Sequence, residues 1–534
     1  MTQFHLTAPL LVVLRLSVAP MERRLAVVFA LTLAGIGMAC SKNAGGLAGA
    51  GGATGAGGGG PDRLAVVTDR FDNARSAATL RETILTTSNV APGGFGLLFS
   101  RAITGDAYAQ PLYVAGVDFG GGGQHNVVYV ATSHNWIYAF DADDPDAADP
   151  LWSRMLGAPL LLGAGGDYDP GCTDMRNEVG ITSTPVISLA DNKIFVVAKV
   201  PGDQHLHALD LATGADGDGS PISIGNVAMT AFDPAIHLNR TALLLQGGVV
   251  YVAYGSHCDH GAYHGWLFGY DAKTLQLVRT YNATPTGTWG AIWQSGVGLS
   301  GDGTNIFATV GNGTSGDGVN MGNNVVRWTP SDATLTVAAH YQAPAHGDND
   351  LQSGAVLLGD SGRLLGGGKD GNVLLFRSSD MSLLQQIAVH NEINSFAFWN
   401  GGSAGALAYV WPTLQPLHAY QVAAGGLTEI ATSAEMQPVH PSAMFVISSN
   451  GAMPGTGVLW ASMPMVGDAW HATATGALYA YDATDVSKPS LWNSTLDPAD
   501  AVGTFAKYSP PIVANGRVYL NTFSGHLQVY GLKP

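Results

Sequence analysis

One hydrophobic pattern recurs along the chain from about Leu97 to the C-terminus. A short apolar strand is followed by a turn and by a second strand that ends in alanine, an aromatic residue and aspartate, as in NVVYVATSHNWIYAFDAD from Asn126. Similar segments begin at Lys193 and Val249, and weaker ones follow up to RVYLNTFSGHLQVYGL. The alternation of apolar and polar positions predicts β-hairpins, each of which can bury its apolar side chains only against neighbouring hairpins.

The spacing and the ends of these repeats predict a closed ring. About eight copies, roughly 45 to 65 residues apart, have the period of propeller blades. PLWSRMLG from Pro150 follows the first copy as an outer strand, whereas the last copy ends at Leu532 without one, and a matching segment, LLFSRAITG, lies before the first copy. We therefore predict an all-β fold, a single closed β-propeller of eight blades with seven as the alternative, in which the N-terminal strand completes the last blade.

Composition agrees with this fold and excludes one class of partner. Only 12% of the residues are charged, whereas 46% are hydrophobic and 71 are glycine, which favours short strands and tight turns. The formal net charge is −16, and no stripe of lysine and arginine is present that could neutralise a row of phosphates. Nucleic acid is therefore not an expected partner.

The N-terminal residues predict export. MERRLAVVFALTLAGIGMAC has a positive region, an apolar region and small residues before Cys40, which makes Cys40 the predicted lipidation site of a lipoprotein, with ordinary secretion as the alternative. GGLAGAGGATGAGGGG follows, and it has nothing to bury, so it is expected to act as a flexible tether. We divide the chain into an upstream extension with signal peptide (1–40), a tether (41–62) and the propeller (63–534).

The repeats, particularly VYVATSHNWIYAFDAD with the Leu-Trp that follows it, resemble the pyrroloquinoline quinone (PQQ) repeat of the quinoprotein alcohol dehydrogenases and of the propeller lipoprotein of the outer-membrane assembly machinery. The resemblance covers nearly the whole chain after the tether. It implies the propeller fold, but this family contains both enzymes and cofactor-free scaffolds, so it implies less about function.

Three motifs resemble those with which the enzymes of this family hold PQQ and calcium at the centre of the ring. GTWGAIW resembles the stretch that supplies an indole floor under the quinone, which implies that role for Trp289. VGNGT resembles a calcium-ligating Gly-Asn segment, at Asn312, and GKDGNVLLF resembles the motif whose cation reaches a quinone carbonyl, at Lys369. Each also has a structural interpretation: Trp289 can fill the wall between blades, and the other two segments are ordinary turns.

Two positions depart from the family. GSHCDHGAYHGWLFGYDA aligns His260 with a calcium-binding Glu and His264 with an Arg that contacts the cofactor. Calcium prefers oxygen ligands, so histidine is a poor replacement, although the adjacent Asp259 offers a carboxylate. HGDNDLQSG provides Asp348 or Asp350 at about the place of the catalytic Asp, without the surrounding motif.

The resemblance thus implies three sets of residues, which are a cofactor site of Trp289, Asn312, Lys369 and His264, a metal site of Asp259, His260 and Asn312, and Asp348 as the catalytic residue.

Cys172 and Cys258 are the cysteines outside the lipidation position. They lie in loops of neighbouring repeats, and export places them in an oxidising compartment, which favours a disulfide between them. The alternative is a transition-metal site in which Cys258 joins its neighbours His257, Asp259, His260 and His264.

The intact blades and the lost Glu and Arg positions favour a ligand- or partner-binding lipoprotein that needs no cofactor. Its partner would be an unknown protein or small molecule. The alternative is a PQQ-dependent dehydrogenase that uses PQQ and calcium to oxidise an alcohol or sugar. The expected location is the outer membrane or cell surface, with periplasm or secretion as alternatives, and the membrane would be reached only through the lipid anchor.

Overall fold

The computed structural model describes residues 63–224, 232–332, 334–344, 347–348 and 350–534. Cys40, the predicted signal peptide and the tether lie outside the described residues. Within them the fold is all-β, and the helical elements are 3-10 turns at Gly120–Gly122, Gln294–Gly296, Gly359–Ser361, Gly402–Ala404 and Pro498–Asp500. No helix in this part of the chain has the length and apolar character needed to span a membrane.

The strands form eight sheets that we number as blades. Each sheet is described from its inner to its outer strand. Blade 1 contains Ala65–Val66, Leu112–Asp118, Gln124–Ala131, Trp136–Asp141 and Trp152–Met155. Blade 2 contains Val186–Ser188, Lys193–Val200, Asp203–Asp210 and Ile222–Ser223. Blade 3 contains Leu244–Gln246, Val249–Ala253, Trp266–Asp271 and Leu277–Asn282. Blade 4 contains Ser300–Gly301, Ile306–Thr309, Asn324–Pro330 and Leu335–Gln342.

Blade 5 contains Val356–Leu357, Arg363–Gly366, Asn372–Arg377 and Leu383–Ala388. Blade 6 contains Phe396–Asn400, Ala406–Val410, Pro416–Ala423 and Gly426–Met436. Blade 7 contains Ala78–Thr79, Met444–Ser448, Val458–Pro464, Gly476–Asp482 and Trp492–Asn493. Blade 8 contains Ile512–Ala514, Arg517–Asn521, His526–Leu532 and Phe95–Ala102. Two short pairs in the loops complete the list, Leu160–Leu161 with Glu178–Val179 and His237–Leu238 with Gly255–Ser256.

Burial changes across each blade in the way a ring requires. The inner strand Met444–Ser448 is buried at every position, whereas the outer strand Leu383–Ala388 alternates between half-buried and exposed residues. Inner strands therefore face neighbouring blades on all sides, and outer strands have one face in water.

The ring closes as the repeats predict. Phe95–Ala102 pairs antiparallel with His526–Leu532, with Phe95 opposite Leu532 and Ala102 opposite His526. The hydrophobic core is continuous across this closure, because Tyr519 and Val529 of blade 8 pack with residues of blade 1. The prediction of an eight-bladed propeller with an N-terminal closing strand is confirmed, and the seven-bladed alternative is wrong.

The repeats did not predict residues 67–77, which we call the inner segment. It connects the extra inner strands of blades 1 and 7. Its backbone bonds successive blades: Val67 O accepts from Ile187 N of blade 2 (2.8 Å), and Ala77 O accepts from Ile447 N of blade 7 (2.8 Å). Between them, Asn73 O accepts from Gly301 N of blade 4. The inner segment therefore follows the inner edge of the ring and links its blades.

Candidate functional site

The predicted site residues all lie on loops at one end of the ring. In an antiparallel blade, the loop between the second and third strands and the connector to the next blade leave the sheet at the same end. Asp259, Asn312 and Lys369 lie on the strand 2–3 loops of blades 3, 4 and 5, respectively. Trp289 lies on the connector from blade 3 to blade 4, and Asp348 on the connector from blade 4 to blade 5.

Three carboxylates meet at this end, and one lysine joins two of them. Asp259, Asp348 and Asp350 each place an oxygen within 4.8 Å of the others. Lys369 Nζ donates to both carboxylate oxygens of Asp348 (2.9 and 2.8 Å) and to Oδ2 of Asp350 (2.8 Å). We call these four residues the acidic cluster. Three carboxylates and one ammonium group leave it two negative charges in excess when all are ionised.

Asn312 fixes the two acids of the connector. Its backbone N donates to Oδ1 of Asp350 and its side-chain Nδ2 donates to Oδ1 of Asp348, both at 2.7 Å. The preceding Gly311 allows this close approach, because a Cβ there would lie 2.4 Å from Oδ1 of Asp350. The Gly-Asn pair is therefore required by the site as well as being an ordinary turn sequence.

Asp259 reaches the cluster from a constrained loop. Cys258 and Asp259 both have left-handed backbone angles, with φ of 49° and 57°. Cys258 forms the predicted disulfide with Cys172, which ties this loop to the connector between blades 1 and 2. The disulfide is thus confirmed, and it removes Cys258 from the alternative transition-metal site. Tyr263 donates its hydroxyl hydrogen to Oδ1 of Asp259.

The pKa values show which charges are compensated. Burial and the nearby charge of Asp350 raise the pKa of Asp259 to about 6. Burial lowers the pKa of Lys369, but Asp350 and Asp348 more than offset it, so this pKa lies above its ordinary value. Burial raises the pKa of Asp348, but hydrogen bonds and charge from Lys369, with Asn312, hold it below its usual range. Lys369 pairs with Asp348 and Asp350, and Asp259 is the carboxylate of the cluster that forms no ion pair with it.

Trp289 forms part of a shallow depression beside the acidic cluster, which Asn312, Thr314, Asp259 and Asp348 also line. Its side chain is 42% exposed, an unusual position for a tryptophan. Its φ of 66° is left-handed, and its carbonyl accepts from Thr284 Oγ1 at 2.7 Å. The backbone therefore holds an indole toward solvent, which the wall-filling interpretation did not predict.

Neither predicted histidine lines this depression, although His264 forms a β-bridge with Trp289. His264 bonds Thr284 Oγ1 through Nδ1 (3.0 Å), and its backbone N donates to His237 Nε2 (3.3 Å). His260 is exposed, and its ring lies near Gly171. Asp259, and not His260, therefore meets Asp348 and Asp350.

Sequence reasoning missed further residues that line a deeper pocket next to the acidic cluster. Arg240, Trp293 and Trp470 lie there, and Asp350 belongs to this pocket as well as to the cluster. Trp293 ends the GTWGAIW segment, but the resemblance gave a role there only to Trp289, and Arg240 and Trp470 fall in none of the motifs. These residues are far apart in the sequence, and only the closed ring brings them into one pocket.

Comparison with known proteins identifies the fold. No family model matches the chain, and no curated protein matches it. Among solved structures, the quinohemoprotein alcohol dehydrogenase ADHIIG from Pseudomonas putida HK5 superposes with a TM-score of 0.57 at 15% identity, over 88% of this chain and 80% of that one. The quinohemoprotein alcohol dehydrogenase from Comamonas testosteroni gives a TM-score of 0.53 at 15% identity over the same shares. At this identity the likeness concerns the fold alone, and the chain therefore has the eight-bladed β-propeller fold of the quinohemoprotein alcohol dehydrogenases.

Proposed function

We propose that this end of the ring binds a divalent cation and PQQ, and that the protein is a PQQ-dependent dehydrogenase of an alcohol or sugar. One observation carries the proposal: Trp289, Asn312 and Asp348, which the resemblance implied separately, line one depression together with Asp259, and Lys369 is joined to it by its ion pair with Asp348. Two solved structures with a similar fold, both of quinohemoprotein alcohol dehydrogenases, support the proposal. Because these residues lie together, we favour the dehydrogenase over the cofactor-free binding module that the sequence favoured.

The residues present fit a hard divalent cation. Asp259, Asp348 and Asp350 offer carboxylate oxygens within 4.8 Å of one another, which is the type of ligand that calcium prefers. The excess of two negative charges matches one divalent ion, and burial together with the charge of Asp350 raises the pKa of Asp259, which a bound cation would lower again. Asp259 thus offers a carboxylate in place of the one that the departure at His260 removes.

The residues also fit a planar quinone. Trp289 offers an exposed indole to stack upon, and Lys369 offers a cation in the adjoining pocket, where it pairs with Asp348, which lines both. When bound, PQQ would supply the acceptor for the two electrons taken from the substrate. Asp348 is 67% exposed and held ionised by Lys369 and Asn312, so it can accept the proton of a substrate hydroxyl group.

The test is to incubate the purified protein with PQQ and calcium, remove unbound cofactor, and measure retention by absorbance and oxidation of an alcohol and sugar panel with a dye acceptor. We expect about one PQQ per chain and turnover. Asp348→Asn should retain PQQ but lose about 100-fold or more in kcat, and Lys369→Ala should lose turnover. Wild-type protein that retains no PQQ would contradict the proposal.

The second candidate is the ligand- or partner-binding module without a cofactor. The position of His264 favours it, because this residue bonds Thr284 and supplies no cation to the depression. A ring that retains no PQQ but keeps its fold when Trp289, Asp259 and Lys369 are replaced would support this candidate.

We propose in addition that the protein is exported and lipidated at Cys40. The positive region, the apolar region and the small residues before Cys40 support this. Expression in a Gram-negative host should give membrane-associated protein, and Cys40→Ala should release it. Equal partition of both forms into the soluble fraction would leave ordinary secretion.

A further inference from the structure

A buried arginine lies beside the acidic cluster without a carboxylate partner. Arg240 is 3% exposed and precedes the inner strand Leu244–Gln246 of blade 3. Within the described residues, no carboxylate oxygen lies at ion-pair distance from it. Its guanidinium donates to Tyr508 Oη from Nη1 (3.1 Å), and Nε is buried without a partner. A guanidinium carries five donors, so this is a poorly satisfied one.

Arg75 and Arg70 differ from Arg240 in bonding to the backbone, although Nε of Arg70 is also buried without a partner. Arg75 donates to the carbonyl oxygens of Leu299 (2.9 Å), Asp69 (2.8 Å) and Leu243 (3.1 Å). Arg70 donates to the carbonyl oxygen of Phe445 (2.8 Å). These arginines have structural roles, because their donors hold backbone groups of several blades. Arg240 makes no such backbone bond among the described residues.

Aromatic rings surround Arg240 instead. Its Cζ lies 4.5 Å from the ring centroid of Tyr508, 4.9 Å from that of Trp293 and 5.8 Å from that of Trp470. Aromatic faces hold a guanidinium without neutralising it. The arrangement keeps a positive charge in a dry, ordered position and leaves it available to an anion.

Arg240 and the acidic cluster line the same pocket. Asp259, Asp348, Asp350 and Lys369 are on its wall, as is Trp293. Trp293 adjoins both groups, because a Cβ at Gly311 would lie 2.7 Å from its Cδ1 and 2.4 Å from Oδ1 of Asp350. The pocket therefore offers carboxylates for a cation in one part and a guanidinium for an anion in another.

Two more charged side chains lie near Arg240 and could compensate or repel its charge. Asp174 lines the pocket, but its Oδ1 accepts from Met175 N at 2.7 Å. Lys507 is 1% exposed and donates to the backbone oxygens of Asp174 and Trp470. Lys507 thus bonds the backbone of Asp174, and among the described residues Arg240 forms no ion pair with the Asp174 carboxylate.

We infer that Arg240 binds a carboxylate of the substrate, so that the substrate class is a small hydroxy carboxylic acid rather than a neutral alcohol or sugar. The hydroxyl group would lie toward the acidic cluster and the carboxylate toward Arg240. The pocket volume of 190 Å³ is below the ~300–1,000 Å³ of sites for drug-sized ligands, which fits a molecule of this kind. The assignment of this carboxylate to the substrate rests on the proposed function, whereas the binding of an anion by Arg240 does not.

Two probes that differ in one group test the subsite without PQQ. L-Lactate and 1,2-propanediol share a hydroxyl-bearing carbon, and only lactate has a carboxylate. With calcium present, we expect lactate to change the tryptophan fluorescence saturably, because Trp293 and Trp470 flank Arg240, and we expect no such change from propanediol. Arg240→Gln should weaken lactate binding at least tenfold, Arg240→Lys should weaken it less, and circular dichroism should verify that both variants fold.

Arg279→Gln is the matched control, because Arg279 lies on the outer strand of blade 3 and donates to Ser331 O (2.7 Å). It should bind lactate as the wild type does. Equal binding of lactate and propanediol, or unchanged binding in a folded Arg240→Gln variant, would overturn the inference.

Loading with PQQ separates substrate from cofactor. Lactate should still bind the loaded protein. The kcat/KM for lactate should exceed that for propanediol at least tenfold, and Arg240→Gln should lower only the kcat/KM for lactate. If PQQ abolishes lactate binding, Arg240 holds a carboxylate of the cofactor and the assignment to substrate is wrong. If PQQ is not retained, the proposed function fails, while lactate binding to the unloaded protein still decides the subsite.

Discussion

At the scale of single residues, Asp259 combines a binding role with an unfavourable local environment. It lies in left-handed backbone conformation, and burial and Asp350 raise its carboxyl pKa to about 6 from an ordinary 3.8. The folded protein therefore binds this proton more tightly than the unfolded chain does. The contribution of Asp259 to stability becomes less favourable as the pH rises from about 4 to about 6, unless a cation compensates the charge.

The change Asp259→Asn should separate stability from cation binding. Without added metal at pH 7, the variant should be as stable as the wild type or more stable, because a buried charge is removed and Tyr263 keeps an acceptor. Calcium should raise the Tm of the wild type much more than that of the variant, because a loss of tenfold or more in affinity is worth about 1.4 kcal/mol or more. Calcium titrations followed by thermal unfolding measure both effects.

The neighbouring His260→Gln is the control for this loop, because its side chain is exposed and outside the acidic cluster. It should respond to calcium as the wild type does. Equal calcium stabilisation of Asp259→Asn and wild type would contradict a cation site at Asp259.

His440 should give the stability a pH dependence. Its Nε2 lies 2.8 Å from Oε2 of Glu392 and its Nδ1 lies 3.1 Å from Oδ1 of Asp468, which also bonds His471, and its ring stacks on Trp470. Burial lowers the pKa of His440, but Glu392 and Asp468 more than offset this and raise it above 6.5. A histidine whose pKa is higher in the folded protein than in the unfolded chain stabilises the fold fully at a pH below its unfolded pKa. This stabilisation is lost as the pH rises through the folded pKa.

The prediction is that His440→Gln destabilises most at pH 5.5 and progressively less toward pH 9. Urea unfolding of wild type and variant across this range measures the difference. His526→Gln, at a half-buried histidine bonded to Ser524 O, is the control and should destabilise less at pH 5.5. A constant difference for His440→Gln would mean that the imidazole is not charged between the two carboxylates.

At the scale of elements, the inner segment holds the blades together through buried charged residues. Arg75 is fully buried and donates to the carbonyl oxygens of Leu243 and Leu299, which precede the inner strands of blades 3 and 4. Asp69 accepts from Gly298 N at 3.0 Å. The segment therefore satisfies backbone groups that would otherwise be buried without partners at the ring centre.

Arg75→Ala should lower the free energy of unfolding by about 3 to 5 kcal/mol, because it leaves several buried carbonyl groups without a donor and removes a positive charge near the buried carboxylate of Asp69. Chemical denaturation measures the loss. Arg377→Ala is the control, since Arg377 forms an exposed pair with Asp380 and such pairs are worth about 0 to 1 kcal/mol. A similar loss in both variants would show that the inner segment does not stabilise the ring in this way.

The disulfide is the second linking element. Cys172 and Cys258 are 86 residues apart in sequence, and such a bond typically contributes about 2 to 4 kcal/mol. In a Cys40→Ser background, the denatured, unreduced protein should show no free thiol. Replacing both cysteines by serine should lower the urea midpoint and weaken calcium binding as well, because Asp259 follows Cys258 directly. Two reactive thiols per chain would contradict the bond.

The sequence could predict the elements whose side chains alternate, and for that reason it could predict the blades and their closing strand. It could not predict the inner segment, because TDRFDNAR has no alternation, and its charged residues suggest a surface loop. These residues are buried because backbone carbonyls of several blades converge on them. That convergence depends on contacts between positions more than 160 residues apart in the chain.

The sequence could predict a site residue where a motif pointed to a single position. It could not do so where the backbone conformation decides which of two adjacent residues enters the site. Asn312 and Lys369 followed from their motifs. Asp259 and His260 are adjacent, and the left-handed angles at Cys258 and Asp259 decide which of them meets the cluster. Arg240 had no local pattern, since its role depends on Trp293, Trp470 and Tyr508 from other parts of the ring.

At the scale of the whole molecule, the N-terminal residues of the ring secure three blades. Ala65–Val66 and Ala78–Thr79 add inner strands to blades 1 and 7, and Phe95–Ala102 adds the outer strand to blade 8. Only the last of these pairs joins the two ends of the repeating array, with Ser100 opposite Gln528. Separation of this pair opens the ring, so we expect it to limit the stability of the whole propeller.

A disulfide across the closure should stabilise the ring more than one within a blade. The pair Ser100→Cys with Gln528→Cys would enclose most of the ring, whereas Thr329→Cys with Thr336→Cys would join two adjacent strands of blade 4. The chain-entropy relation gives about 6 kcal/mol for the first loop and about 2.4 kcal/mol for the second. Urea unfolding of the oxidised proteins should therefore show the larger gain for the closure pair. Variants with alanine at the same positions control for the lost side chains, and equal gains from the two disulfides would contradict the expectation that the closure pair stabilises the ring more.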